Sequence, residues 1–390
     1  MVYTSGAKPL PEIIDEIASG LIGTGLWHNV DTTWNTVDKT GNNARRALAY
    51  GVIDGSGKGS TKLKNSVAAG STVLPVNSDA NFNVADSVVI GSGNTAEVRE
   101  ITAIASNNLT INAPLSTGHA FDEMVKELNL EIYLALECIN IPDGYNVWDG
   151  TWYAKGLRVT FSATWDAVVH NYPSSNQQSF IMYQLNSNGA VTADLAVLMN
   201  IYHLWIEANG FVIMGKPEPT GTEDSQRSFL AVVERNPNKE YADGYTNFFC
   251  YNVQNDSNFH NSGMGSHRQL HNVLRPFAYV QPEDAWNGSN FNGITRASEN
   301  YGIVFPGMAN KAFKSTGNGK VYYQKPIIQN QRNAVTPIFQ SELFFPFDEN
   351  VGLIDGDVVS LDGTTAKFLC KSLDSPDSLN RLNYAIKYTA

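Results

Sequence analysis

From Lys64 to Glu127 the chain is a series of short apolar runs separated by clusters of Asn, Gly, Ser and Asp. The runs are Thr72–Val76, Ser87–Ile90, Ala96–Ile104 and Leu109–Leu115. Short runs bounded by turn formers read as strands, because the turn residues supply the backbone angles at which a strand must stop. The spacing therefore predicts a small, self-contained β-module over residues 62–126.

The flanks predict what the module is inserted into. With 56–126 removed, "RRALAYGVID" meets "LNLEIYLALECIN", which reads as one hairpin that has received a guest. Such insertions are tolerated because loop-closure entropy rises slowly with loop length. The expected division is a main β-rich domain of 1–55 plus 127–390, divisible near 254–300, with 62–126 inserted. Asp54–Ser71 is rich in Gly, Ser and Lys and reads as the linker into the module.

Elsewhere the periodicity is mostly that of strands. Residues 9–22 are the clearest exception: Ile13, Ile14, Ile17 and Leu21 share one helical face, with Pro11, Glu12 and Asp15 in the opening turns. Asn42 is placed to cap a short helix over "NARRALAY". Glu127–Ile141 reads as a long strand, and Leu157, Val159 and Phe161 alternate with polar residues as in a half-buried strand. Tyr202–Gly215 carries Asn209–Gly210 between apolar runs, a strong hairpin signal. Ser228–Asn236 is a further strand, 254–300 reads as loop, and strands return toward the C-terminus, with a turn at Asp362–Gly363. The last strand places Leu382, Tyr384, Ile386 and Tyr388 on a buried face and Arg381, Asn383, Ala385 and Lys387 on a polar one. The expected class is mainly β: a β-sandwich-like body, an N-terminal helix, an inserted small β-barrel or β-module and a C-terminal β-hairpin region.

Charge narrows the partners. The net charge of −11 disfavours holding a phosphate backbone by bulk electrostatics, so no nucleic-acid role is expected. Cys138, Cys250 and Cys370 each sit in an apolar run and read as free buried thiols. The N-terminus is acidic where a signal peptide is basic and then apolar, and no stretch has the length of a membrane span.

Two local patterns carry a resemblance. Val73, Val76, Phe82, Val84, Asp86, Val88 and Ile90, then Ile101, Leu109, Ile111, Pro114, Leu115 and His119, resemble a small β-module that recurs in tailed-phage structural proteins. Ala85 stands where that pattern often has Gly. Trp205, Ile206, Asn209, Phe211 and Val212, then Phe229 and Leu230, are similar to a hairpin of phage virion proteins, with Phe211 near a common Arg position. The resemblance implies a virion structural protein of the tail, baseplate or fibre-attachment region. Its partners would be copies of itself and other virion proteins, and capsid decoration or a head–tail collar is the alternative position.

Motifs for chemistry are incomplete. "GVIDGSGKGST" (Gly51–Thr61) lacks the first P-loop Gly and the Ser or Thr after Lys58. His260, His267 and His271 cluster, the last two at i,i+4, but no further metal ligand accompanies them. The carboxylates Asp143, Asp149, Asp166, Glu223, Asp224 and Glu234 could serve a polysaccharide-degrading enzyme only if two faced each other across a cleft. Trp148, Trp152, Tyr153 and Trp165 lie in an aromatic-rich stretch that reads as core, or alternatively as a platform for bacterial surface glycan or an interface. No catalytic residue and no cofactor is expected.

Overall fold

The computed structural model describes residues 2–31, 44–53, 58–141, 154–162, 164–171, 177–181, 199–217, 229–235, 245–254, 275–280, 301–304, 312–323, 327–330, 336–362, 364–373 and 382–388. The protein is mainly β, with one N-terminal helix and several antiparallel sheets. Chain contacts divide it into two compact units, one of 1–10, 140–156 and 180–390, the other of 11–139 and 157–179.

In chain order, β1 (Val2–Pro9) leads into α1 (Leu10–Gly23), then β2 (Trp27–Asn29) and β3 (Arg45–Val52). The module supplies β4 (Ser60–Lys62), β5 (Val73–Pro75), β6 (Ser87–Ile90), β7 (Glu97–Ala105) and β8 (Asn108–Ile111). β9 (Met124–Ile141), β10 (Ala154–Ser162) and β11 (Gln177–Ile181) follow. The other unit continues with β12 (Met199–Glu207), β13 (Gly210–Pro217), β14 (Phe229–Arg235), β15 (Tyr245–Gln254) and β16 (Arg275–Val280). Then come β17 (Tyr301–Val304), β18 (Phe313–Lys314), β19 (Val321–Tyr322), β20 (Ile327–Asn330) and β21 (Thr336–Gln340). The chain ends with β22 (Phe344–Pro346), β23 (Val358–Ser360), β24 (Lys367–Leu373) and β25 (Leu382–Tyr388).

Within the 11–139 unit, β9 is the common spine. Its first part pairs with β4 and β6 of the module, and its later part pairs with β3. The module path β4-β9-β6-β7-β8-β5 is tied end to end by the Leu63–Val76 bridge, with Lys64 N–H donating to Pro75 O and Asn77 N–H to Lys62 O. Its core gathers Leu63, Val67, Leu74, Val76, Phe82, Val88, Ile101 and Leu109. The expected linker therefore contributes a strand and core side chains, because Leu63 and Val67 are apolar and their backbones pair within the module. Ala85, at the position where Gly is common, has φ 76°, in the region that an L residue enters at a cost.

α1 forms as the periodicity predicts, with Ile13, Ile14, Ile17 and Leu21 all buried. The helix expected at "NARRALAY" does not form; Arg45–Val52 is a strand. Six of its residues, Arg46–Gly51, are buried, and it pairs with both β2 and β9. Two-sided pairing and burial outweigh a local preference of a few tenths of a kcal/mol per residue. Arg46 makes an ion pair with Asp15 of α1, which fixes the helix to this strand.

In the other unit, one antiparallel sheet runs β1-β12-β13-β14-β15-β16. The hairpin over 202–215 forms, but Glu207 pairs with Gly210, so its two loop residues are Ala208 and Asn209. Gly210 opens β13 at φ 145°, and a Cβ there would lie 2.0 Å from Val233 O. A strand, β16, also forms inside 254–300, where the sequence reads as loop. The four-stranded sheet runs β22-β25-β24-β23. Ala385, expected on a polar face of β25, is fully buried against Phe345 and Phe368, so the middle of β25 is covered on both sides.

Candidate functional site

β1 is the outer strand of the six-stranded sheet, and among the described residues no further strand pairs with its far edge. It becomes a strand by pairing with β12 in unbroken register, from Val2 opposite Ile206 to Pro9 opposite Met199. Val2 is 71% exposed, and Ser5, Gly6 and Ala7 are also exposed. Edge strands are normally guarded by charge, by proline or by a bulge, because unpaired N–H and C=O groups template further strands. Val2–Ala7 contains no charge and no proline, and no bulge interrupts its register.

The edge is also rigidly backed. Tyr3 lies opposite Trp205, their ring centroids 5.0 Å apart, and its hydroxyl shares a 2.8 Å hydrogen bond with His203 Nδ1. Burial, with a smaller push from Lys371, lowers the His203 pKa to about 4. The imidazole is therefore neutral at ordinary pH, and the brace does not titrate there.

A second exposed feature belongs to the other unit. Asp166 and Asn171 exchange two backbone hydrogen bonds around a tight loop, and Asp166 Oδ1 accepts from the N–H groups of Val168 and Val169. His170, at φ 54°, binds the fully buried Asp31 carboxylate at 2.5 Å. The loop thus holds Val168 (64%) and Val169 (67%) out in solvent. Asp166 acts in this turn and has no partner carboxylate across a cleft among its described contacts.

Other residues singled out by sequence fall as follows. Trp165 is 8% exposed and packs in a core with Val30, Ala47 and Leu128, so it offers no stacking platform. Trp148, Trp152, Tyr153, His260, His267, His271, Asp143, Asp149, Glu223 and Asp224 lie outside the described residues. Lys58 and Gly59, in the P-loop-like stretch, are both engaged by Glu127: Lys58 Nζ donates at 2.5 Å and Gly59 N–H at 3.0 Å. Cys138 and Cys370 are free and buried, as their apolar contexts predict, and burial pushes the Cys370 thiol up to about 12. A thiol so poorly ionised is a weak nucleophile.

Glu234 is fully buried in β14. Its Oε1 accepts from Glu342 N–H and its Oε2 from Ser341 Oγ–H, each at 2.7 Å. Burial, reinforced by Glu207 and Glu342, outweighs those hydrogen bonds and raises its pKa to about 8. A carboxyl sealed from solvent and satisfied by its own chain is a structural latch, not an acid facing a substrate.

The module hides a polar clasp that sequence reasoning missed. Glu97 is fully buried and ion-paired with Arg99. It also accepts from Ser116 N–H and Thr117 N–H at 2.8 Å and from Ser116 Oγ–H at 2.7 Å. His119 bridges Glu97 at 3.3 Å and Glu123 at 2.7 Å. Burial alone would raise the Glu97 pKa, but His119, Arg99 and Ser116 together hold it below the ordinary value. Burial would lower that of His119, but Glu97 and Glu123 raise it. Polar residues so far apart in sequence carry no local signal; His119 was visible only through the resemblance.

No protein-family model matches the chain, and no curated protein matches it.

Proposed function

We propose that the protein is a structural component of a tailed-phage particle. Its place is the tail, baseplate or fibre-attachment region, and it works through assembly with copies of itself and with neighbouring virion proteins. The observation that carries this reading is the braced outer edge of β1, which over Val2–Ala7 carries no charge and no proline and meets no further strand among the described residues. A soluble monomer is under pressure to blunt such an edge, whereas an assembly component uses it to bind a neighbouring strand. The exposed Val168–Val169 tip fits the same role, as a rigid apolar knob for a partner surface. The resemblance of the 62–126 module to those of phage structural proteins supplies the particle.

Mass spectrometry of purified virions of the encoding phage, combined with cryo-electron microscopy, tests the reading. A fixed, symmetric copy number is the expected result. Absence from virions, despite expression in infected cells, would overturn it.

A further inference from the structure

We propose that β1 pairs with β1 of a second copy of this chain, antiparallel and centred on Ser5, so that two six-stranded sheets become one sheet across a two-fold axis. The inference rests on the reading of the chain as an assembly component and names the partner of its free edge.

The register follows from geometry. When a strand pairs with its own copy about a two-fold axis, the axis passes through one residue, which lies opposite itself. Centring on Ser5 places Val2 opposite Lys8 of the second copy, Tyr3 opposite Ala7 and Thr4 opposite Gly6. The ladder then uses Val2–Lys8 and excludes Pro9, which has no N–H to donate. Centring on Gly6 instead draws Pro9 into the ladder opposite Tyr3 and leaves Val2 unpaired.

Charge and size are both compatible with this arrangement. Lys8 is the one charged residue of β1, and in this register the two copies of Lys8 sit at opposite ends of the ladder. They are roughly 20 Å apart at about 3.4 Å per residue, beyond the ~8 Å screening length of physiological salt. The centre is built from Thr4, Ser5, Gly6 and Ala7, all small enough for close approach. The register with β12 is continuous, so no bulge interrupts the edge it presents.

The test uses the full chain and a cysteine at the axis. Directly opposite residues of an antiparallel pair are about 4.5–5.5 Å apart between Cα atoms, within disulfide range. Oxidised Ser5→Cys is expected to run as a covalent dimer on a non-reducing gel. Val2→Cys, whose two copies would be roughly 20 Å apart by the same rise per residue, is expected to stay uncrosslinked. In light scattering at tens of micromolar, the 42.7 kDa chain is expected to double in mass, and Ser5→Lys, which opposes two ammonium groups at the axis, to return it to the single-chain mass.

A wild-type chain that stays at the single-chain mass, or a dimer that Ser5→Lys leaves intact and Ser5→Cys does not trap, would overturn the pairing. The outcome is separable from the virion reading. A chain at fixed copy number in virions whose Ser5→Cys never crosslinks, in solution or in the particle, keeps the particle role and loses this interface. A Ser5-crosslinked dimer absent from virions does the reverse.

Discussion

Glu97 and His119, twenty-two residues apart, meet inside the module with the carboxylate 3.3 Å from the imidazole and Arg99 paired to the same carboxylate. The clasp ties the turn at Ser116–Thr117 to β7. Removing Glu97 would leave the Arg99 guanidinium buried without its counter-charge. Glu97→Ala is therefore expected to destabilise the module by about 3–5 kcal/mol, the usual cost of breaking a buried pair from one side. Urea unfolding together with hydrogen exchange of peptides from 97–119 would measure it. A loss below ~1 kcal/mol would show that the clasp contributes little.

The same pair predicts a pH window. The depressed Glu97 pKa gives stability that is present above the ordinary 4.5 and lost as pH falls through the folded value. The raised His119 pKa gives stability that is full below 6.5 and lost as pH rises through its folded value. Module protection is thus expected to peak between these limits and to decline on both sides. A His119→Gln variant should lose the alkaline decline; a decline that persists unchanged would assign it to another group.

Glu234 predicts a second, opposite-signed carboxylate effect. Its folded pKa of about 8 lies above the ordinary 4.5, so it favours the folded state most at low pH and progressively less as pH rises through that interval. Glu234→Gln keeps an acceptor for Glu342 N–H and removes the ionisation. Its stability curve should be flatter between pH 5 and 8, as read by chemical denaturation across that range. A variant whose slope matches wild type would rule the latch out as the source.

Ala85 and Gly210 make a paired test of backbone strain. Ala85 is exposed at φ 76°, so Ala85→Gly is expected to stabilise by about 1 kcal/mol. Gly210→Ala drives a Cβ against the Val233 carbonyl, which is fixed in the ladder, and should cost at least about 1–3 kcal/mol. Thermal unfolding of both variants would expose any departure from these opposite signs.

Trp165 separates core from platform. Trp165→Ala should destabilise the fold by about 3–5 kcal/mol, as large-to-small changes in a packed core do. A stably folded variant that instead lost binding to bacterial polysaccharide on an array would restore the stacking role.

Much of the local structure was legible because it depends on periodicity. Ser87–Ile90 is a strand and 10–23 a helix at the expected positions, since alternation and i,i+4 spacing record which face is buried. Where local preference and pairing disagreed, pairing decided. Arg45–Val52 has residues that suit a helix, yet β2 and β9 take its backbone as a strand; Ser60–Lys62 has linker composition, yet β9 takes it too. Ala385 sits at a polar register position, but Phe345 and Phe368 cover it.

What the sequence determined by itself was the class of the protein, mainly β with an N-terminal amphipathic helix, because alternation and i,i+4 spacing are written within a few residues of one another. Only the tertiary structure decided which strand ends the sheet, which carboxylates are sealed and which residues brace them. Tyr3 and His203 are separated by two hundred positions, and Glu234 and Ser341 by more than a hundred. Hydrogen bonds and burial act through space over a few ångströms, so no pattern along the chain records them until the fold brings those residues together.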